Sequence, residues 1–407
     1  MNAEEIIKVL RIWNLWDKDI EVGISREKYV NELSEYLEMK HILILKGVRR
    51  CGKTTIAKQL MRNLLKKKIK KKQILYVNFE DMNLADKLQI QLLDEILDAY
   101  LGYTKNKEKI YCFLDEVQRI PNWERWIRTK YDQDQNIKFI ITGSSAHLLD
   151  KELSTLLTGR NITFEIMPLS FREFKMFNKK GELEEYLKFG GFPEVVLEES
   201  EERKIRLLNQ YLVDIIHRDI VDRYRIRNAN ELIAIAKYLV STPGSKVSVN
   251  KLSKVFGVTK NTIASYISYM VDAYLLLEVR FFSFSAKVKY DITRLPKYYV
   301  IDNGLVNITT MQYFKNFGQL YENAVLLELY KLKEKLEDIM YWSDANSEVD
   351  FVVGKKAINV TATDKIPARE WKGLEEFQKE HKQFSVLLVT RSIDKDNAIS
   401  LKKFLEN

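Results

Sequence analysis

The sequence predicts an α/β fold that begins with a parallel sheet and continues into other, smaller units. Two patterns carry the first part. Apolar runs of strand length alternate with helical periodicity as far as Phe164, and such alternation favours parallel pairing. A glycine-rich turn separates the first run from the helix behind it. A third pattern carries the rest: beyond Phe164 the periodicity is mostly helical, and turn formers cluster at Ser241-Thr242-Pro243-Gly244-Ser245.

Taken in order, residues 1–40 read as two helices, because Ile6, Leu10 and Trp13, then Tyr29, Leu33 and Leu37, recur near helical spacing. A buried strand follows at Ile42 to Leu45, then the turn, then a helix from Lys53 to about Lys66. Further strands read at Ile74 to Phe79, Ile110 to Leu114 and Phe139 to Thr142. A helical pattern near Leu88 to Tyr100 and a helix with Trp123, Trp126 and Ile127 separate them. Residues 170–242 read as mostly helical, interrupted at Gly190-Gly191-Phe192-Pro193. Ser248 to Phe256 is a short helical pattern, and Thr259 caps a second helix with Ile263, Ile267, Met270 and Val271 inward. A strand-like run from Leu275 to Phe281 follows, and residues 318–407 read as helix, strand, strand, helix and strand. The expected divisions are an N-terminal helix (1–20), the sheet domain (21–167), a helical lid and linker (168–242), a winged-helix-like unit (243–301) and a small α/β domain (302–407).

Composition narrows the function classes. The chain has 407 residues, 46% of them hydrophobic and 30% charged, with a net charge of +9. That balance permits contact with nucleic acid or an acidic partner without requiring one. Two cysteines, Cys51 and Cys112, exclude a disulfide framework and a zinc cage. His41, His147, His217 and His381 show no metal-ligand spacing. No apolar run approaches the length a bilayer requires, so the expectation is a soluble, cytoplasmic protein with no membrane contact. The dense run Lys66 to Lys72 reads as a solvated helix end, where cations meet the negative pole of the dipole.

The turn after the first strand is Gly47-Val48-Arg49-Arg50-Cys51-Gly52-Lys53-Thr54, followed by Thr55. It fits the phosphate-cradling pattern G-x-x-x-x-G-K-[ST] in the context that pattern needs, strand before and helix after. The glycines let the backbone curl so that N–H groups face phosphate oxygens, and the helix adds its positive end. Lys53 then serves the β- and γ-phosphates, and the Thr54 hydroxyl coordinates magnesium. The strand Tyr111 to Leu114 ends in Asp115-Glu116. Asp115 is placed to hold the ion through water, and Glu116 to polarise an attacking water as general base. Phe139 to Thr142 runs into Gly143-Ser144-Ser145, so Thr142 or Ser144 is a candidate partner of the γ-phosphate or the water.

These motifs, together with Asn78-Phe79-Glu80-Asp81, Leu157-Thr158-Gly159-Arg160 and Pro168 to Phe174, resemble an archaeal and bacterial family of AAA-superfamily P-loop ATPases. The resemblance covers nearly the whole chain. It implies a five-stranded parallel sheet, ATP and Mg2+ as ligands, and Arg160 approaching a γ-phosphate as a sensor or finger. Either Glu80 or Asp81 is expected to face the site. His217-Arg218-Asp219-Ile220 resembles a charged segment of the same family, read here as a solvated helix face.

The 243–301 segment resembles a helix-turn-helix with a wing. In a DNA complex Lys260, Asn261, Thr262 and Ser265 would enter the major groove, with Lys287, Lys289 and Arg294 on phosphates. The last block resembles a restriction-endonuclease-like domain: Glu322 and Asp350 match its first two acidic positions. Where that pattern expects Glu-x-Lys, this chain has Asn359-Val360-Thr361. The expectation is therefore a degenerate nuclease fold that lacks its cation. The reading as a whole is an ATP-binding protein and ATPase acting as a nucleotide-driven switch for double-stranded DNA or a protein partner, with a homo-oligomer compatible. The alternatives are an ATP-dependent DNA-processing nuclease and a low-turnover nucleotide-binding scaffold.

Overall fold

The computed structural model describes residues 1–133, 136–143, 157–285, 294–310, 317–333 and 336–406. Among them the chain forms two units, Met1–Ile166 and Met167–Asn407. Ser144, Ser145, His147, Lys287 and Lys289 lie outside the described residues.

In the first unit, β1 (Ile42–Lys46), β2 (Ile74–Asn78), β3 (Ile110–Asp115), β4 (Ile137–Thr142) and β5 (Asn161–Glu165) form one parallel sheet in the order β2-β3-β4-β1-β5. β1 to β4 are almost unbroken buried runs, as a parallel sheet covered on both faces requires. The helices are α1 (Ala3–Trp13), α2 (Glu27–Glu35), α3 (Lys53–Lys66), α4 (Gln91–Thr104) and α5 (Trp123–Asp132). The expected α/β class and parallel sheet are thus present, and α3 has the expected bounds.

Capping and edge chemistry explain the start of the chain. Asn2 and Glu5 form a capping box at α1. The apolar face of α1 (Ile6, Val9, Leu10) joins Leu92, Ile96 and Ala99 of α4 in the core, each Val, Leu or Ile side chain contributing about 1.5–3 kcal/mol when fully buried. β2 is an edge strand, and the Asn14 side chain covers part of that edge. Its oxygen accepts the Tyr76 N–H and its amide donates to the Tyr76 carbonyl, both at 2.8 Å. Trp16 Nε1 donates to Ile74 O at 2.9 Å. An uncovered edge would offer these groups to another chain. On β4, Lys138 is 1% exposed. Its ammonium donates to the carbonyls of Tyr36, Met39 and His41 at 2.5–2.7 Å, which fixes the turn leading into β1.

The second unit opens with α6 (Phe171–Phe177), α7 (Leu183–Phe189), α8 (Pro193–Leu197), α9 (Glu201–Asp214), a π-helical segment (Ile215–Asp222) and α10 (Ala229–Ser241). Then come β6 (Ser245–Lys246), α11 (Val249–Phe256), α12 (Lys260–Asp272), β7 (Leu276–Phe281), β8 (Lys297–Val300), α13 (Asn303–Thr309) and α14 (Phe317–Lys333). β9 (Ile339–Ser343), β10 (Glu348–Val353), β11 (Lys356–Val360), α15 (Ala368–Glu380), β12 (Ser385–Thr390), β13 (Ala398–Ser400) and α16 (Leu401–Glu406) complete it. All eight strands form one mixed sheet, β13-β12-β11-β10-β9-β7-β8-β6. β7 pairs in parallel with β9 through Arg280↔Met340 and Phe281↔Tyr341. The strands of segments 243–301 and 302–407 therefore share a sheet. β9, β13 and α16 add to the sequence reading; β13 and α16, at three and six residues, are too short for periodicity to register. In the π-helical segment His217 and Arg218 are exposed, whereas Asp219 and Ile220 are buried, so only half of that motif is a solvated face.

The Gly190-Gly191 interruption has a specific cause. Asp302 caps α13 by accepting the Gly304 N–H at 2.8 Å and also accepts the Gly191 N–H at 2.6 Å. Gly190 has φ +74, and a Cβ there would lie 1.8 Å from Asp302 Oδ1. Burial pushes the Asp302 carboxyl up to about 7, with the two N–H donors pulling the other way. A folded-state pKa above the unfolded value means a contribution present at low pH and lost as pH rises through about 7. The second unit is expected to lose stability on the order of 2 kcal/mol from pH 5 to pH 8 through this group. Hydrogen exchange of peptides from residues 167–407 checks it, and Asp302→Asn should reduce the dependence by this group's share.

Candidate nucleotide site and a buried charge cluster

The loop from Gly47 to Thr54 joins β1 to α3 at the carboxyl end of the sheet. Its backbone uses left-handed geometry where glycine allows it: Gly52 has φ 103 and Gly47 φ 153, with Arg50 also positive at φ 68. Val48 and Cys51 are buried, Arg50 and Thr55 exposed. Arg26, itself buried, donates from Nη1 to Cys51 O at 3.0 Å and braces the loop from behind. The Lys53 ammonium donates to the carbonyls of Gly47 at 2.9 Å and Val48 at 3.1 Å, so it lies across the loop. The first N–H groups of α3 have no partner within the helix, as at any helix start.

Beside the loop, β3 delivers Asp115 and Glu116 and β4 delivers Thr142. Asp115 is 2% exposed and meets three hydroxyl groups. Thr54 Oγ1 lies 3.1 and 3.0 Å from its two oxygens, Tyr76 OH donates to Oδ2 at 2.6 Å, and Thr142 Oγ1 donates to Oδ1. Burial raises the Asp115 pKa; the hydroxyl donors oppose that rise. Glu116 sits in left-handed geometry at φ 55. Its N–H donates to Thr142 O at 3.1 Å, and its carboxylate accepts from Gln118 Nε2. Lys53, Thr54, Asp115, Glu116 and Thr142 are thus brought together. The facing hydroxyl and carboxylate oxygens of Thr54 and Asp115 suit a hard, oxygen-seeking ion such as Mg2+.

Tyr76 belongs to no motif and was missed by sequence reasoning; its place on β2, the strand beside β3, was the available signal. Of the acids after β2, Glu80 pairs with Arg49 of the loop at 3.7 Å. Asp81 instead accepts from Trp13 Nε1 at 2.5 Å and caps Asn83. Arg160 is not brought to the loop. It immediately precedes β5, whose first residue Asn161 registers with Ile42 at the start of β1. The loop follows Lys46 at the other end, about 3.3 Å per residue away along the strand. Arg160 Nε instead meets Asp132 Oδ1 at 3.1 Å, so the expectation that it approaches a γ-phosphate fails within its own chain.

In the second unit, Glu322 of α14 and Asp350 of β10 come together, as expected. The cation between them is Lys297, on β8, which is 2% exposed. Its ammonium lies 2.6 Å from Glu348, 3.1 Å from Glu322 and 3.4 Å from Asp350. Tyr299 OH donates to Glu322 at 2.6 Å, and Lys246 pairs with Glu348 at 2.7 Å. Burial, then Glu322, push the Asp350 carboxyl up to about 7. Burial pulls the Lys297 ammonium down, but Tyr299 and then Glu322, Asp350 and Glu348 hold it well above its usual range. A cavity of about 580 Å³ opens beside the cluster, lined in part by Glu322, Glu348, Asp350 and Glu370. The expectation that this region lacks a cation is therefore corrected: the ammonium comes from a distant strand.

The class follows from these observations and from comparison with known proteins. Residues 39–175 match a family described as an AAA domain, and residues 180–314 and 317–404 match two domains of unknown function (DUF8612 and DUF4143). The first unit is an AAA-type P-loop domain. Over 379 residues the chain is 34% identical to the uncharacterized protein MJ1544 of Methanocaldococcus jannaschii, covering 85% of this chain and 82% of that one. An uncharacterized protein of Haemophilus influenzae is 29% identical over 348 residues, 82% of this chain and 84% of that one. Among solved structures, the Walker-type ATPase paby2304 of Pyrococcus abyssi aligns with a TM-score of 0.46 at 15% identity, over 70% of this chain and 96% of that one. The chain belongs to the family of MJ1544. No helix among the described residues is long and apolar enough to cross a membrane.

Proposed function

We propose that the protein is a magnesium-dependent ATPase whose nucleotide state switches its hold on a partner. The observation that carries this is the meeting of Thr54, Asp115 and Thr142, with Glu116 next in chain, beside the Gly47–Thr54 loop. In this reading Lys53 leaves its loop carbonyls for the β- and γ-phosphates. Thr54 and, through water, Asp115 would hold Mg2+, which supplies charge to the phosphates. Glu116 takes up the proton of the attacking water, and Thr142 orients that water or the γ-phosphate. Tyr76 keeps the Asp115 carboxylate in place. Steady-state phosphate release tests the proposal: the native chain should turn over ATP with magnesium and stop when EDTA removes the ion.

Arg160 has a role on a phosphate only if that phosphate belongs to a second copy. The expected signature is turnover per chain that rises with protein concentration in the native protein. An Arg160→Ala variant should bind nucleotide normally and lose that rise. Identical concentration curves for both would remove Arg160 from the mechanism.

For the partner, one observation favours duplex DNA. Between Leu232 and Val271 there is no Asp or Glu, while Lys237, Lys251, Lys254 and Lys260 are all exposed. None of these four has an ion-pair partner among the described residues. They lie on α10 and the α11–turn–α12 pair, whose second helix is capped by Thr259. We expect salt-sensitive binding to a duplex, measured by fluorescence anisotropy. Replacing Lys251, Lys254 and Lys260 by Ala should reduce the slope of log affinity against log salt by roughly 2–3. A slope unchanged by those substitutions would leave a protein as the partner.

A further inference from the structure

The resemblance of the last block to a nuclease implies a divalent metal held by Glu322, Asp350 and a third ligand at position 359. The residues do not fit one. Asn359 is spent on the main chain: Oδ1 accepts the Asp350 N–H at 3.0 Å, and Nδ2 donates to Glu370 O at 2.9 Å and Glu348 O at 3.3 Å. Asp350 Oδ2 accepts the Val360 N–H at 2.9 Å, which leaves Oδ1 for the cluster. Among the described residues no group of three His, Cys, Asp or Glu side chains is arranged to hold a metal ion.

We infer that the cluster is a cation site filled by the chain's own Lys297 ammonium, which ties β8 to α14 and β10 and takes the place of a divalent metal. An ammonium has three N–H groups, and three carboxylates surround this one at 2.6, 3.1 and 3.4 Å. Carboxylates so close together, Glu322 and Asp350 only 17% and 15% exposed, are tolerated only with a cation among them. Lys246 takes the second oxygen of Glu348, and Tyr299 donates to the same Glu322 Oε1 that Lys297 contacts. β8 also carries the antiparallel pairing to β6 and β7. The cluster therefore holds the helix-turn-helix segment and the last block in register within one sheet. The acid-lined cavity is the space beside the ammonium-bound cluster, and it has no part in phosphodiester cleavage. This holds whether or not the ATPase reading does.

The test combines melting and cleavage on the full chain. Manganese chloride or EDTA, without nucleotide, should leave the native melting midpoint where it is, and plasmid should stay uncut with manganese. Lys297→Met should lower the midpoint by on the order of 10 °C, because the buried acids lose their counter-charge. Adding Glu322→Gln and Asp350→Asn to Lys297→Met should recover most of that loss. The inference is overturned if manganese raises the native midpoint but not that of Asp350→Asn, or if plasmid is cut in a manner Asp350→Asn abolishes. A Lys297→Met chain that melts with the native protein overturns it too. Should Lys297→Met fail to fold, the manganese comparison between the native chain and Asp350→Asn decides.

Discussion

Glu116→Gln is expected to lower phosphate release by about 10²- to 10⁴-fold while magnesium-ATP still binds. The carboxylate is half-buried at the end of β3, next in chain to Asp115, and its backbone N–H is fixed by the Thr142 carbonyl at 3.1 Å. Gln has the same shape and still accepts from Gln118, so the fold and the loop are unaffected. What it lacks is the ability to take up a proton. A loss of turnover with binding retained isolates general-base action from phosphate binding. Unchanged release would mean that another group polarises the water. Steady-state release beside a nucleotide titration makes the comparison.

Gly47→Ala is expected to cost about 4 kcal/mol or more and to abolish nucleotide binding. A Cβ at this position would lie 2.1 Å from Ile166 O and 3.1 Å from Cys51 Sγ, and the backbone sits at φ +153. The obstructing carbonyl belongs to a segment held by the Ile166 N–H donating to Lys46 O at 2.7 Å, so it cannot swing aside without opening the β1–β5 pairing. Gly102→Ala is the control: it lies within α4 with nothing within 4 Å of the added carbon. There the substitution should stabilise the chain by about 0.5–1 kcal/mol. Chemical denaturation of the two variants distinguishes a local steric requirement from a general intolerance to change.

The parts of this molecule that were legible in the sequence are those fixed by local pattern. The buried runs at β1, β3 and β4, the turn at Gly47 to Thr54 and the helix Lys53–Lys66 each follow from a few neighbouring residues. So did the convergence of Thr54 with Asp115, because parallel strands of one sheet end on the same side. What was not legible depends on contacts between distant positions. Tyr76 reaches Asp115 from the neighbouring strand, and Lys297 reaches Glu322 and Asp350 from a segment assigned to another domain. No spacing rule connects those positions. Arg160 shows the converse failure. Its motif pointed to a phosphate, yet the register of β5 against β1 sets it at the far end of the strand from the loop.

The most direct measurement is calorimetric titration of magnesium-ATP into the native chain and into Lys53→Ala. Saturable heat from the native protein, absent from the variant, is the predicted result. Equal isotherms from the two proteins, or no heat from either, would contradict the assignment of the Gly47–Thr54 loop as a triphosphate site.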